Sequence, residues 1–190
     1  MAKSGMTMEP TKGGNFAHNN REHQIYYLIE GDFFCDKTEQ QAQEYLHSLK
    51  LEAQKNYTTR TKQKMQIDLN DPKYYWSASI NLNANHTLED VRKLAQKFEE
   101  KFGWQNIQIA LHRDEGKAEG TRKNLHAHIE FLMVSKEGLS VFKKKDFRAK
   151  AMSEIQTFVA QELKMERGKI YKEEGEFKKH LKPAAYREHI

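Results

Sequence analysis

Three histidines lie in two apolar segments, at positions that β-strands would place on one face. His126 and His128 are two residues apart in the run from 124 to 134, and His112 ends the run from 106 to 112. Successive side chains of a strand point to opposite faces, so His126 and His128 would point the same way. In the earlier run apolar and more polar residues alternate, which puts His112 on the polar face of a strand that could pair with the second. Three imidazoles could therefore converge on one ion.

A set of three neutral imidazoles leaves coordination positions open for water or substrate. Such a set is typical of a catalytic metal site rather than a closed structural one. Two carboxylates, Asp114 and Glu115, follow closely after His112. The alternative is that His126 and His128 are exposed strand histidines that bind nothing, because a short motif is only a hypothesis until its structural context is known. The third histidine favours the metal site.

Composition indicates one well-folded domain that works in a reducing compartment. The chain has 190 residues, of which 37% are hydrophobic and 31% charged, and only three are proline, which excludes a disordered protein. No segment has the length and apolarity of a membrane span, and the first residues lack the apolar core of a secretory signal. The lone Cys35 cannot form an internal disulfide. We expect a cytoplasmic protein that does not insert into a membrane.

Basic residues are clustered rather than spread evenly. The net charge is only +5, yet no acid occurs between Glu52 and Asp68. That stretch contains Tyr57 and a group of cations, namely Lys55, Arg60, Lys62 and Lys64. A second cluster begins with Lys143, Lys144 and Lys145. Basic stretches with aromatic residues among them suit a nucleic-acid backbone and stacked bases, although either cluster alone is more typical of a solvated surface.

Hydrophobic periodicity predicts helices and strands in alternation. Apolar residues at helical spacing, with capping signals at Thr38 and Thr87, predict helices from 39 to 55 and from 88 to Gly103. A further amphipathic helix is predicted from 151 to 163. Strict alternation predicts strands at 74–82, 106–112 and 124–134, with an exposed hairpin connection at 114–123. These elements predict an α+β domain in which helices cover one face of an antiparallel sheet and the other face is polar and open.

A glycine-containing segment near the N-terminus carries a further candidate group. Its glycines would let the backbone approach a ligand closely, and His18 and Arg21 offer a nucleophile or base beside a phosphate-binding guanidinium. The sequence Gly13-Gly14-Asn15-Phe16-Ala17-His18-Asn19-Asn20-Arg21 resembles the first motif of the plasmid mobilisation relaxases of the Mob/Pre (MobV) type. These enzymes belong to the His-hydrophobic-His endonuclease superfamily.

Two later segments extend the resemblance. The third motif of that family is His-x-Asp-Glu followed by a His-x-His strand, and here His112-Arg113-Asp114-Glu115 precedes His126-Ala127-His128. Leu163-Lys164-Met165-Glu166-Arg167-Gly168-Lys169 is similar to a Leu-Glu-Arg-Gly-Lys stretch of the family. The chain departs from the pattern because the two histidine motifs are fourteen residues apart and Leu125 stands where the family usually has proline. A longer hairpin tip would accommodate this spacing.

The resemblance implies a metal-dependent strand transferase, with the ferredoxin-like core of that superfamily, that nicks one DNA strand at the transfer origin of a mobile element. It implies His112, His126 and His128 as ligands of a divalent ion, Mn²⁺ or Mg²⁺. It also implies a covalent link between the protein and the 5′ phosphate of the nicked strand. Single-stranded DNA is the expected partner, together with accessory relaxosome and coupling proteins. The chain is expected to be one nicking domain over residues 1–190, or the N-terminal part of a longer protein.

The resemblance favours His18 as the nucleophile. Most relaxases use tyrosine, but the family with this motif is associated with histidine. A neutral imidazole is a competent nucleophile near neutral pH, whereas a phenol with a pKa of about 10 must first be activated. Tyr26 and Tyr27 remain the alternatives. Arg21 would orient the phosphate, and Asp114 or Glu115 would orient the nucleophile or a metal ligand.

Two other functions compete with the relaxase. A rolling-circle replication initiator of the same superfamily would share the fold and the metal. A non-enzymatic module that binds single-stranded nucleic acid would also present a polar sheet face with Tyr75, Trp76 and basic loops. Such a module has no reason to gather three histidines, so metal-dependent cleavage distinguishes it. The remaining histidines are interpreted as ordinary surface residues: His23, His47, His86, His180 and His189.

Overall fold

A computed structural model describes residues 3–19, 33–112, 125–143 and 148–168. Its helices and strands follow in the order β1 (Lys3–Ser4), β2 (Met6–Pro10), α1 (Phe16–Asn19), β3 (Phe33–Cys35), α2 (Glu39–Thr61), β4 (Tyr75–Asn81), α3 (Leu88–Phe102), β5 (Gln105–His112), β6 (His126–Leu132), α4 (Ala149–Glu162) and β7 (Glu166–Arg167). A short 3-10 turn at Pro72–Tyr74 leads into β4. Among these described helices, none combines the length and the apolar character needed to cross a bilayer.

The central element is a five-stranded sheet in the order β2-β4-β6-β5-β3, in which every neighbouring pair is antiparallel. β1 and β7 form a separate parallel pair. The α+β class with an antiparallel sheet, expected from the periodicity, is confirmed. The predicted hairpin connection at 114–123 lies outside the described residues.

The N-cap predicted at Thr38 and the capping box predicted at Thr87 are both present, and Thr38 also forms a capping box. Thr38 accepts a hydrogen bond from the backbone of Gln41 at the start of α2, and Thr87 accepts one from Asp90 at the start of α3. α3 ends at Gly103, as predicted, with a left-handed backbone at φ 73°. α2 ends at Thr61, later than the residue-55 boundary expected from its apolar pattern.

The extra turns of α2 are stabilised by tertiary contact. The loop at Gly138 lies so close to the helix that a Cβ on this glycine would meet the Ala53 carbonyl oxygen at 2.6 Å and Tyr57 Cβ at 2.7 Å. Such contact offsets the modest helix propensity of the threonines and the asparagine in this stretch. Periodicity of the helix alone does not reveal a packing partner that lies eighty residues later.

Helices α3 and α4 cover one face of the sheet through an aromatic cluster. Phe98 of α3 lies 5.5 Å from Phe131 of β6, 5.4 Å from Trp104 and 5.7 Å from Phe158 of α4, measured between ring centroids. Phe98 and Phe131 are both fully buried. Offset and edge-on rings at these separations supply attraction beyond the apolar area that they bury.

Helix α2 lies over part of the other face. The Lys50 ammonium sits 5.2 Å from the ring centroid of Tyr75, and both Tyr75 and Ser77 of β4 are buried. By strand alternation these two side chains share a face with the histidines of β6. This end of the polar face is therefore covered by α2, whereas His18 at the other end is exposed.

Candidate nuclease site

Strands β5 and β6 bring the three predicted histidines together. In the antiparallel register His112 stands directly opposite His126, and Ala110 stands opposite His128. Directly opposed residues and residues two positions along a strand point to the same face. The expectation that His112, His126 and His128 share one face is confirmed.

The rings are in contact. The ring centroid of His112 lies 5.3 Å from that of His126 and 4.9 Å from that of His128, and His126 and His128 are 4.9 Å apart. His112 and His126 are buried and His128 is half-buried. The three histidines therefore form one compact, largely buried cluster on this face of the sheet.

Helix α1 adds His18 to this cluster. Its ring centroid lies 5.8 Å from that of His112 and 5.4 Å from that of His128. The approach to α1 uses two glycines with positive φ, Gly13 at 121° and Gly14 at 106°, a backbone that other residues rarely adopt. These two glycines therefore shape the turn that leads to His18, and the expected close approach of this backbone to a ligand stays a prediction.

A divalent ion fits the chemistry of these donors. His18, His112 and His128 offer ring nitrogens that all lie within 4.8 Å of one another, a spacing from which three imidazoles can coordinate one ion. The predicted ligand set has His126 in place of His18. His126 contacts both His112 and His128, so the predicted set also consists of neighbouring rings. Which three histidines bind the ion stays a prediction.

His112 is held by the backbone of α1. Its Nε2 lies 2.9 Å from the carbonyl oxygen of Asn19. A carbonyl oxygen can only accept a hydrogen bond, so Nε2 carries the proton and the ring lone pair is on Nδ1. Histidine ligands of metals commonly donate their second ring nitrogen to a carbonyl or carboxylate in this way, which fixes the ring orientation.

A buried polar layer lies one step along the sheet from the histidines. Glu130 of β6 and Gln108 of β5 are opposite each other, and the amide nitrogen of Asn19 donates to Glu130 Oε1 at 3.0 Å and to Gln108 Oε1 at 3.1 Å. Ser77 Oγ also donates to Glu130 Oε1, at 2.7 Å. Asn19 and Gln108 are fully buried and Glu130 is 1% exposed.

Burial raises the pKa of the Glu130 carboxyl above its usual range, and the hydrogen bonds from Ser77 and Asn19 act in the opposite direction. The hydrogen bonds satisfy one oxygen of this buried carboxyl and so offset part of the cost of its burial. Burial likewise raises the pKa of the Cys35 thiol to about 11. Cys35 lies opposite Ala110 on β5 and donates to the Lys37 carbonyl, so it is an unreactive thiol rather than a nucleophile.

A groove opens beside His18, between α1 and α2. It has a volume of about 640 Å³. Lys12, His47 and Lys50 give it three basic groups, against one acid, Glu39. Its position next to the exposed imidazole suits an anionic ligand that must reach His18.

The described members of the basic clusters predicted to bind DNA lie away from this groove. Arg60 and Lys62 are at the C-terminal end of α2, with Lys64 just beyond, whereas Leu46 of the same helix lines the groove beside His18. At a rise of 1.5 Å per residue, Arg60 is about 21 Å along the helix from Leu46. Lys143 follows Phe142, which stacks on Trp76, and Trp76 points to the face opposite the histidines.

Several predicted site residues lie outside the described residues: Arg21, Tyr26, Tyr27, Asp114, Glu115, Lys144 and Lys145. His23, His180 and His189 also fall there. Of the histidines interpreted as surface residues, His47 is exposed as expected.

The interpretation of His86 as a surface residue is wrong. It is 8% exposed, its Nδ1 accepts from the backbone of Asn83, and its Nε2 contacts the Leu163 carbonyl at 3.0 Å, so it links the loop before α3 to the end of α4.

The sequence did not single out Asn19, Gln108 or Glu130. The period of two that aligns His126 and His128 also places Glu130 on their face, so this signal was available in the sequence. The contact of Asn19 with Glu130 was not available, because these residues are more than a hundred positions apart.

Comparison with known proteins identifies the family. Residues 26–174 match the sequence model described as Relaxase: MobA/VirD2-like, nuclease domain. This range contains His112, His126 and His128 but not His18. No curated protein matches the chain at a significant level.

Solved structures of one relaxase share the fold. The MobM relaxase domain (MOBV; Mob_Pre), a Mn-bound crystal structure with plasmid pMV158 oriT DNA at pH 5.5, superposes with a TM-score of 0.62 at 16% identity, over 100% of both chains. The same domain with a 3′-thiophosphate DNA at pH 6.8 gives a TM-score of 0.60 at 16% identity, over 98% of both chains. These matches include the N-terminal segment that the family model leaves out.

The family expected from the three sequence motifs is thereby confirmed. The matched residues make up most of the chain and contain both histidine strands of the sheet. The chain belongs to the relaxases, as a DNA-nicking nuclease domain of the MobA/VirD2-like type.

Proposed function

We infer that this relaxase cleaves one strand at the transfer origin of a mobile element, with His18 as the nucleophile, for conjugative mobilisation. The observation that carries this proposal is the convergence of four histidine rings at one end of the sheet, with His18 brought from a separate helix to face His112 and His128. A module that only binds nucleic acid needs no such cluster.

We propose His112, His126 and His128 as ligands of a divalent ion. The fold-sharing MobM structures are Mn-bound, and the imidazole donors present here fit a divalent ion. Such an ion supplies Lewis acidity to the scissile phosphate and neutralises its developing charge. His18 is then the one histidine of the cluster that comes from outside the sheet, on a helix that can present it to the phosphate.

The reaction at His18 is an in-line displacement at phosphorus. An imidazole nitrogen of His18 forms a bond to the phosphorus while the bond to the 3′ oxygen breaks. The leaving oxygen gains a proton and becomes a free 3′ hydroxyl, and the imidazole loses its ring proton. The 5′ phosphate stays linked to the protein as a phosphoramidate, so the strand can later be rejoined. Arg21 is proposed to orient the phosphate, and Asp114 or Glu115 to orient the nucleophile.

The groove beside His18 is proposed to hold the DNA next to the scissile phosphate. Lys12, His47 and Lys50 would contact backbone phosphates, and the groove volume suits a ligand of nucleotide size. The distant cations Arg60, Lys62 and Lys64, together with Lys143, would contact DNA further from the cleavage point, and Lys144 and Lys145 are proposed to bind DNA as well. In the fold-sharing MobM structures the ligand is likewise oriT DNA.

The wider setting follows from this activity. We propose that residues 1–190 form one nicking domain, which a longer protein would carry at its N-terminus. The enzyme would act in the cytoplasm, where its DNA resides, with accessory relaxosome and coupling proteins.

The decisive experiment is intact-mass analysis after incubation with Mn²⁺ and single-stranded oligonucleotides that tile the DNA flanking the gene. We expect a covalent adduct that falls apart in mild acid and survives base, because protonation of a phosphoramidate makes imidazole a leaving group. Tyr26→Phe and Tyr27→Phe should retain the adduct, and His18→Ala should lose it while still binding Mn²⁺. An acid-stable adduct that maps to Tyr26 or Tyr27 would refute the histidine assignment while leaving the relaxase activity in place.

A further inference from the structure

Helix α1, which carries His18, has only four residues. An isolated helix of this length is unstable in water, because its first turn costs more conformational entropy than one hydrogen bond returns. The position of His18 therefore depends on the residues that tie α1 to the sheet. Two side chains of α1 are buried, Phe16 and Asn19, and the Asn19 side chain is hydrogen-bonded to the polar face that bears the histidines.

Asn19 makes three contacts with that face. Its amide nitrogen donates to both Glu130 and Gln108, which stand opposite each other on β6 and β5. Its carbonyl oxygen accepts from Nε2 of His112. One residue, adjacent to His18 in the chain, is thus bonded both to the polar layer and to a histidine of the cluster.

The acceptors of Asn19 are themselves fixed. Glu130 Oε1 also accepts from Ser77 on β4, and Gln108 Nε2 donates to the Lys37 carbonyl at 2.9 Å. These bonds connect the layer to the strand on one side and to the segment before α2 on the other. Because its members share these hydrogen bonds, the buried layer offers Asn19 two acceptors whose positions are held by other parts of the fold.

We propose that Asn19 is a positioning residue of the nicking reaction. Its hydrogen bonds to Glu130 and Gln108, together with the one that it accepts from His112, hold α1 in place and so fix the position of the His18 imidazole. This rests on the proposed role of His18 as nucleophile. Asn19 itself touches no reacting atom. It acts by keeping α1 seated so that His18 faces His112 and His128 rather than solvent.

The first variant is Asn19→Ala. A nucleophile displaced by about 1 Å can lose 10²-fold in rate, so we expect the single-turnover cleavage rate at saturating oligonucleotide and Mn²⁺ to fall about 10²-fold. The dissociation constant for the oligonucleotide should stay within about twofold. The matched control is Gln105→Ala, since Gln105 is a buried amide on the same strand as His112 that donates to the Val134 carbonyl far from the histidines. It should lower thermal stability and leave the cleavage rate per folded molecule unchanged.

The second variant exchanges donor and acceptor. Asn19→Asp places two carboxylates against each other and should be as slow as Asn19→Ala. The double variant Asn19→Asp with Glu130→Gln restores an amide-to-carboxylate hydrogen bond with its polarity reversed, and should recover at least tenfold of the rate that Asn19→Asp removes. This recovery also keeps the test decisive should Asn19→Ala fail to fold.

A third readout needs neither metal nor DNA. In the metal-free protein the ring resonances of His18, assigned by their disappearance in His18→Ala, should shift or broaden in Asn19→Ala and remain unchanged in Gln105→Ala. The proposal is overturned if Asn19→Ala cleaves as fast as the control, if its defect lies only in DNA affinity, or if the double variant recovers nothing. Absence of cleavage by the unaltered protein would instead contradict the proposed function.

Discussion

The two faces of β6 carry unlike side chains in strict alternation. His128 and Glu130 point to the face that α1 approaches, while Ile129 and Phe131 point into the core beneath α3 and α4 and are fully buried. The core face gains stability from apolar burial. On the histidine face the strand instead carries two imidazoles and a buried carboxyl, whose desolvation cost is offset by hydrogen bonds from Asn19 and Ser77. One strand therefore separates stability from chemistry, and substitutions on its two faces should have different consequences.

The largest effect on chemistry is expected from His112→Ala. This histidine contacts His18, His126 and His128 and is hydrogen-bonded to Asn19. Its removal therefore affects both the proposed metal site and the position of α1 on the sheet. Losing several kcal/mol of transition-state stabilisation corresponds to a fall in nicking of at least about 10³-fold. The free energy of unfolding of the metal-free protein should also fall, by at least the roughly 1–3 kcal/mol that a buried carbonyl left without its partner costs, so nicking is compared per folded molecule. A His112→Ala protein with undiminished nicking and Mn²⁺ affinity would abolish the distinction between the two faces.

The identity of the third ligand sharpens the same comparison. If the third ligand is His126 of the sheet, His126→Ala should weaken Mn²⁺ binding by more than roughly 10- to 100-fold, which is the cost of losing a residue that only hydrogen-bonds to a ligand. His18→Ala should then leave Mn²⁺ affinity nearly unchanged. Titration calorimetry of the two variants measures this directly. The opposite order would assign His18, His112 and His128 as the ligand set and return the nucleophile to Tyr26 or Tyr27.

The largest effect on stability is expected from Phe131→Ala on the other face. This ring packs edge-on against both Phe98 and Trp104, so its removal leaves a cavity inside the aromatic cluster. Such truncations cost about 3–5 kcal/mol, which in a chain of this size lowers the melting temperature by about 10 °C. Nicking per folded molecule should be unchanged.

The control for that variant is Ile129→Val on the same face, for which about 0.5–1.5 kcal/mol is expected. Calorimetric melting and single-turnover cleavage of the same samples separate the two effects. A Phe131→Ala protein that melts normally but nicks slowly would show that the faces are not independent.

Much of this division was predictable from the sequence, because it depends on periodicity. The period of two in β4, β5 and β6 predicted which side chains share a face, and the capping residues Thr38 and Thr87 predicted where α2 and α3 begin. Contacts between distant segments were not predictable. The bonds from Asn19 to Glu130 and Gln108, and the position of α2 over Tyr75, join residues that no local pattern relates.

The error at His86 has the same cause. Its neighbourhood of asparagines before a helix is typical of an exposed loop, yet the end of α4 supplies a carbonyl that buries it. The described histidines of the motifs do lie close together, while their roles stay predictions. A motif therefore predicts which residues meet, whereas the residues that hold them in place come from the fold.

The smallest expected effect concerns DNA binding, and it compares the groove beside His18 with the distant end of α2. Removing one protein–phosphate interaction with single-stranded DNA reduces the slope of log affinity against log salt by about 0.7.

With an oligonucleotide too short to leave the groove, Lys12→Ala should lower the slope by about that amount. The triple variant Arg60→Ala, Lys62→Ala and Lys64→Ala should leave this slope unchanged. With a longer oligonucleotide, able to extend the further 21 Å or so along α2, the triple variant should lower the slope as well. Fluorescence anisotropy over a salt series with both lengths measures the four slopes. A triple variant whose slope equals that of the unaltered protein at both lengths would show that the cluster at the end of α2 is only a solvated surface, and an unchanged slope in Lys12→Ala would remove the groove from the DNA path.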